Sequence, residues 1–389
     1  MTFSDDLAKL QLEGNVGKLV DWLTENGVGL EAIGKSKLYQ GFHKDEAGDT
    51  HIVDMVSIEL SPAWSDGPRW PLIDRPVPIK LSSKPRKRVK GGSRTVLCLP
   101  DPQIGYWRDM DSGQLEAMHD IAAMDVALQI GRDVRPDGVV NLGDLLDMTE
   151  FGRYETEPSL DQTTNPSLRT ARRFLDVQKQ DIGSDEFIVI EGNHDKRLAD
   201  AIARHNRSAL YIRKADATPD DWPVFSVPYL LGLDDLGVEY VEGYPAGQHW
   251  LTDSFVVEHG KRVASGSSTA AKYAAATPGV SAVFGHVHRL EVHTKSLVLG
   301  PDEVRRSVFI SPGCLCRTDG AVPSFGSGTS ANGKPVTNHE DWQQGCVVLT
   351  FHDDVLPQVE PVFINNGQAM FRGELYTAGA YKEVLEVDE

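Results

Sequence analysis

Five short apolar runs in this chain each pass directly into a small polar cluster. Residues 95–99 lead to Asp101-Pro102-Gln103, and residues 138–142 to Gly143-Asp144-Leu145-Leu146-Asp147. Residues 187–190 lead to Gly192-Asn193-His194-Asp195, 254–257 to His259-Gly260, and 282–284 to Gly285-His286-Val287-His288. Runs this short and this apolar read as strands buried on both faces. Between the first two, Leu115, Met118, Ala122 and Val126 share one helical face. Residues 168–178 suggest a second helix before the third run, and 308–310 and 347–351 extend the strand set. Alternation of strand and helix predicts an α/β layered domain. In an open α/β sheet, ligands bind at the carboxyl ends of the strands. The five polar clusters are therefore expected to meet along one edge.

The rest of the chain divides around that region. Residues 1–60 read as a small α+β module. Leu7, Leu10, Leu12, Val16, Leu19, Val20 and Leu23 have helical spacing, and two extended runs flank a turn at residues 44–49. Six prolines between 61 and 94 forbid a regular element there and predict a linker. The layered α/β domain is expected over 95–375, with an acidic tail at 376–389. The formal charge of −18, from 57 acids and 39 bases, excludes a protein that binds nucleic acid over its whole surface. Residues 75–100 nevertheless hold eight bases and no acid, densest at Lys84, Arg86, Lys87, Arg88 and Lys90. That stretch is either a solvated linker or a strip that steers a polyanion. No apolar run reaches bilayer length, and the first residues lack the basic and apolar parts of a secretory signal. With only four cysteines, the expectation is a reducing cytoplasm.

Carboxylates, amide oxygens and imidazoles gathered at one edge are a ligand set for divalent cations. The mixture suits Mn, Fe or Zn at two sites better than Ca or Mg at one. The absence of thiolate argues against structural zinc. In order and spacing, Asp101-x-Gln103, Gly143-Asp144-x-x-Asp147, Gly192-Asn193-His194-Asp195, His259 and Gly285-His286-x-His288 resemble the calcineurin-like metallophosphoesterase superfamily. The similarity runs from about residue 95 to 351. Asp341-Trp342-Gln343-Gln344-Gly345 and Ser311-Pro312-Gly313 are similar to phage-encoded members.

The resemblance implies a four-layer α/β sandwich and phosphoester hydrolysis by a hydroxide activated between two metals. It assigns Asp101, Gln103 and His288 to one metal and Asn193, His259 and His286 to the other, with Asp144 bridging. His194 becomes the general acid or phosphate contact, and Asp195 the group that orients it. One position departs from the family pattern, because residue 103 is Gln where His is usual. A neutral amide oxygen binds more weakly and favours Mn or Mg over Zn. Manganese is thus the expected metal, with Fe, Zn and Mg as alternatives.

Other residues have competing readings. Asp144 and Asp147 could cap a helix, and Asp147 is expected to support the helix start or hydrogen-bond a ligand. His259 is preferred over His249 and His293 because it directly follows an apolar run. Cys314 and Cys316 are expected to be packed thiols. Arg197 and Arg289 are candidates for phosphate contact, against the default of surface arginines. A glycine-rich loop at 326–333 covers the site or is a surface insertion. The expected substrate is a phosphodiester, with DNA or RNA favoured through the basic strip and the similarity to DNA-repair exonucleases. Alternatives are a phosphomonoester, a cyclic nucleotide, or a non-catalytic scaffold of the same fold.

Overall fold

The computed structural model describes residues 33–44, 50–60, 92–153, 157–264, 268–320, 322, 336, 339–352 and 355–386. The chain forms two units, Met1–Val77 and Pro78–Glu389. In the first, β1 (Ile33–Lys44) pairs antiparallel with β2 (Thr50–Leu60), from Lys44 opposite Thr50 to Ile33 opposite Leu60. The two expected extended runs are this hairpin. The predicted helix of residues 5–26, the turn at 45–49, the basic strip at 84–90 and the loop at 326–333 lie outside the described residues.

The second unit carries the remaining strands. They are β3 (Ser93–Leu99), β4 (Tyr106–Arg108), β5 (Leu115–Ala117), β6 (Gly138–Asn141), β7 (Glu186–Ile190), β8 (Glu239–Val241), β9 (Gln248–Thr252) and β10 (Phe255–Glu258). After these come β11 (Ser281–Phe284), β12 (Leu290–Val298), β13 (Val304–Pro312), β14 (Gln344–His352), β15 (Gln358–Ile364), β16 (Gln368–Phe371) and β17 (Glu374–Thr377). Six of them form one sheet in the order β15-β14-β3-β6-β7-β8, in which β3, β6, β7 and β8 are parallel. Five form a second, β12-β13-β11-β10-β9, in which β13, β11 and β10 are parallel. The α/β class expected from the alternation is therefore the fold. The five motif strands do not share one sheet, however: three lie in the first and two in the second.

Side-chain alternation explains how the sheets stack. Val96, Cys98, Val140, Leu142, Ile188 and Ile190 pack with Phe255, Val257, Val283 and Ile310, so one face of each sheet meets the other. The intervening residues Leu97, Leu99, Val139, Phe187 and Val189 join a core with α1 (Ile121–Val134) and α2 (Thr164–Val177). On the far side of the second sheet, Val256, Ala282, Phe284 and Phe309 pack against Ala270, Tyr273 and Ala274 of a helix at Thr269–Ala276. Each motif strand is thus covered on both faces, which is why its sequence reads as continuously apolar.

Two expectations need correction. The helix between the first two strands begins at Ile121, where the Asp120 carboxylate accepts from the Ala122 and Ala123 amides. Leu115 belongs to β5 instead, and the cap decides the boundary. Residues 376–386, expected as part of an acidic tail, are also anchored to the core. Buried Asp125 accepts from the Gly379 and Tyr381 amides at 2.9 and 2.8 Å, and Tyr381 and Leu385 enter the main core. Those anchors outweigh the acidic composition, which only describes the solvent-facing residues.

Candidate metal centre

Each motif strand ends just short of a polar side chain. Asp101 lies two residues beyond β3, Asp144 and Asn193 three beyond β6 and β7, His259 directly after β10, and His286 two beyond β11. The strands are parallel within their sheets, so their carboxyl ends point to the same rim. Two hydrogen bonds stitch that rim across the sheets. His259 Nδ1 donates to the Leu142 carbonyl at 2.8 Å, and the His286 amide donates to the Asp101 carboxylate at 2.9 and 3.0 Å.

Backbone conformation concentrates there. Among the described residues, ten non-glycine positions have positive φ, and five are Asp101, Gln103, Asp144, His286 and His288. Such a conformation costs of order 1–3 kcal/mol per residue and persists where surroundings enforce it. Glycine would relieve the strain, so a retained side chain points to chemistry. Two glycines make room for it. A Cβ at Gly192 would fall 2.1 Å from Asp144 Oδ1, and one at Gly285 would fall 2.5 Å from Asp101 Oδ2.

The donors meet in two groups. Asp144, His259 and His286 place ligand atoms within 4.8 Å of one another. Asn193 joins them, its Oδ1 standing 3.0 Å from His259 Nε2, which is also 3.3 Å from Asp144 Oδ2. In the second group, His288 Nε2 lies 3.4 Å from Asp101 Oδ1 and 3.3 Å from the Gln103 amide nitrogen. The structure therefore brings together all seven side chains predicted to hold metal.

The arrangement fits a cation. With Nδ1–H given to Leu142, His259 Nε2 faces a carboxylate oxygen and an amide oxygen. A lone pair facing two oxygens is repulsive, so the position calls for positive charge, a proton or a metal ion. Burial opposes protonation of His259, but the Asp144 carboxylate raises its pKa to about 10. Asp144, despite its burial, is held well below the usual carboxylate range by His194 and His259. Gln103 Oε1 is buried with no partner among the described residues, an orphaned acceptor at the second group.

His194 sits beside this cluster. Its Nδ1 donates to Asp147 Oδ1 at 2.9 Å, and its Nε2 lies 3.8 Å from Asp144 Oδ2. Arg197 opens the helix Arg197–His205, and its guanidinium reaches His194 Nε2 at 3.3 Å and the Asp147 carbonyl at 2.9 Å. Burial disfavours the imidazolium, yet Asp144 and Asp147 outweigh it and raise the His194 pKa.

The carboxylate that meets His194 is Asp147, not Asp195. Asp195 is turned back onto the amides of Leu145, Leu146 and Gly192, at 3.3, 3.0 and 3.0 Å, tying the second motif loop to the third. The role that the resemblance implies for Asp195 is thus filled by Asp147, because successive side chains in a turn diverge. Arg289 is also committed elsewhere. It donates to the Ala264 carbonyl at 2.9 Å and lies 3.8 Å from Glu291, whose carboxylate accepts from Ser268 and Ala270 at a helix start.

The neighbours of His288 were only partly legible. Cys314 and Cys316 are buried, with Cys316 Sγ 3.8 Å from His288 Nδ1. Burial, then Cys314, keep the Cys316 thiol far above its ordinary pKa, so it is a packed thiol rather than a thiolate. Trp342 meets the His288 ring edge-on at 4.2 Å, and the Gln343 amide donates to the His288 carbonyl. The Asp-Trp-Gln-Gln-Gly stretch thus braces the last motif from behind.

Comparison with known proteins agrees with this geometry. The chain is 28% identical over 275 residues to the Gene 54 protein of Mycobacterium phage L5, covering 69% of this chain and 94% of that one. It is 30% identical over 208 residues to the Gene 54 protein of Mycobacterium phage D29, covering 52% and 72%. Residues 48–290, which include the ligand groups described above, match the calcineurin-like phosphoesterases, whose members hydrolyse phosphoesters with metal ions. By that match, and by the cation-seeking cluster its strands assemble, the chain belongs to the calcineurin-like phosphoesterase family.

Proposed function

We propose that this chain is a two-metal phosphodiesterase whose substrate is nucleic acid. The observation that carries the reading is the buried convergence of Asp144, Asn193, His259 and His286, with one histidine nitrogen aimed at two oxygens. Asp101, Gln103 and His288 would hold one cation and Asn193, His259 and His286 the other, with Asp144 serving both. Two divalent cations, when bound, supply positive charge against a phosphoryl group and lower the pKa of water. Manganese suits a set that includes a neutral amide oxygen.

The chain's own residues do the rest. The Leu142 carbonyl fixes the His259 tautomer by accepting the hydrogen bond from Nδ1–H. Asp147 does the same for His194, which leaves His194 Nε2 to deliver a proton to the departing oxygen. Arg197, within reach of that nitrogen, offers its charge to the phosphate. The preference for nucleic acid rests on the eight bases at residues 75–100 in an otherwise acidic chain.

Metal analysis of purified protein, followed by a panel of DNA, RNA, cyclic nucleotides and monoesters with Mn²⁺, tests the reading. Turnover of a polynucleotide should fall by orders of magnitude between about 50 and 200 mM salt if several phosphate contacts contribute. A salt-insensitive rate confined to small esters would overturn the nucleic-acid assignment. Hydrolysis of no phosphoester by metal-loaded protein would favour the scaffold instead.

A further inference from the structure

Beside the ligand cluster stands an aromatic side chain that no motif announced. Tyr244 lies in the connection between β8 and β9, and its ring meets the His259 ring edge-on at 5.6 Å. The loop is held from the site itself. Glu191, the residue before Gly192-Asn193-His194, accepts from the Gly243 and Tyr244 amides at 2.8 and 2.9 Å. The Tyr240 hydroxyl adds a bond to the same carboxylate at 3.4 Å. Two further bonds, from the Ala246 and Gly247 amides to the Gly243 carbonyl, close the turn. The segment that presents Asn193 and His194 therefore also sets the position of Tyr244.

The phenol is left over. Tyr244 is partly exposed, and among the described residues its hydroxyl has no hydrogen-bond partner. Burial, then the charge of Asp144, push its pKa up, so the hydroxyl lies within the field of that carboxylate. A ring used only as packing against His259 would not need the hydroxyl, since phenylalanine offers the same edge. On a ring beside the ligand cluster, an O–H with no partner among the described residues is a donor for something that arrives from solvent.

Building on the hydrolase reading above, we infer that Tyr244 is a substrate-binding residue whose hydroxyl donates to a phosphoryl oxygen of the ester. A neutral donor there complements the positive charge of Arg197 and the cations without repelling either. It also accounts for the Glu191 staple, because a donor contributes only if its position is held.

Tyr244→Phe in the full-length, Mn²⁺-loaded protein is the test, since it removes one oxygen and keeps the ring. Three quantities are measured: Mn²⁺ affinity by calorimetry, inorganic phosphate affinity of the metal-loaded protein, and kcat/KM on bis(4-nitrophenyl) phosphate. A lost hydrogen bond to a charged oxygen should weaken phosphate affinity and kcat/KM by about tenfold or more, with Mn²⁺ affinity unchanged. Phosphate affinity and kcat/KM both within about twofold of wild type would overturn the inference, being smaller than any such bond supplies. If wild type binds Mn²⁺ but hydrolyses nothing, the hydrolase reading falls and phosphate affinity alone decides Tyr244. If wild type binds no Mn²⁺, the reading fails and this inference with it.

Discussion

The two donor groups of the rim are built differently. Around His259, a backbone carbonyl fixes one imidazole nitrogen while a carboxylate and an amide oxygen surround the other. Around Gln103, an amide replaces the usual imidazole, and buried thiols and an indole back the single histidine. The first group is electron-rich and already organised for a positive charge. The second offers one charged ligand, Asp101, and an acceptor with no partner among the described residues. Asymmetry of this kind predicts one ion held firmly and one exchanged easily.

In the proposed assignment Asp144 would serve both cations, so its loss should be the most damaging. Asp144→Ala should abolish Mn²⁺ binding and reduce turnover well beyond the roughly 10–100-fold typical of outer-shell changes. Retention of two Mn²⁺ per chain by this variant would show that the donors do not act together. His194→Ala comes next, with kcat lower by about 10²–10⁴-fold and Mn²⁺ content unchanged. Loss of metal along with activity would make His194 a ligand and not an acid.

Proton linkage separates the groups further. In the metal-free protein His259 has a pKa of about 10, raised by Asp144 against the opposing effect of burial. At pH 7 it is protonated, and a cation must displace that proton. Affinity at the His259 group should therefore rise about tenfold per pH unit up to that pKa, with one proton released per ion. Calorimetry in buffers of different ionisation enthalpy counts the proton. Binding without release would mean that Nε2 is not a ligand. The sign for folding is opposite. A raised histidine pKa stabilises the metal-free fold fully below the unfolded value near 6.5, and that stability is lost as pH rises towards about 10.

The smallest effect distinguishes the carboxylates. Asp147→Asn should lower kcat by about 10–100-fold through the misdirected His194 ring and shift the pH profile. Asp195→Asn should instead lower thermal stability, because its acceptors serve three backbone amides. Equal pH profiles for the two variants would show that neither orients His194. Finally, Gln103→His should raise Zn²⁺ retention at the weaker group and make the two ions more alike.

Much of this was readable from residue order. The five apolar runs became strands because each is buried on both faces, so no alternation competes with the signal. Clusters at their ends met because parallel strands bring their carboxyl ends to one rim. What failed were judgements of direction. The family resemblance assigns Asp195 to His194, and closeness to a ligand cluster makes Arg289 a phosphate candidate, but both side chains turn elsewhere. Tyr244 drew no notice, since one tyrosine between two short strands has no pattern.

The sequence by itself determined the α/β class, the order of the motifs and the seven donors that gather, because local apolar periodicity and residue chemistry are written along the chain. Tertiary structure decided which sheet each strand joined, that Asp147 and not Asp195 meets His194, and that Tyr244 stands at the rim. Those outcomes depend on where side chains point after sheets pack against one another, and that direction is set by contacts between residues far apart in sequence.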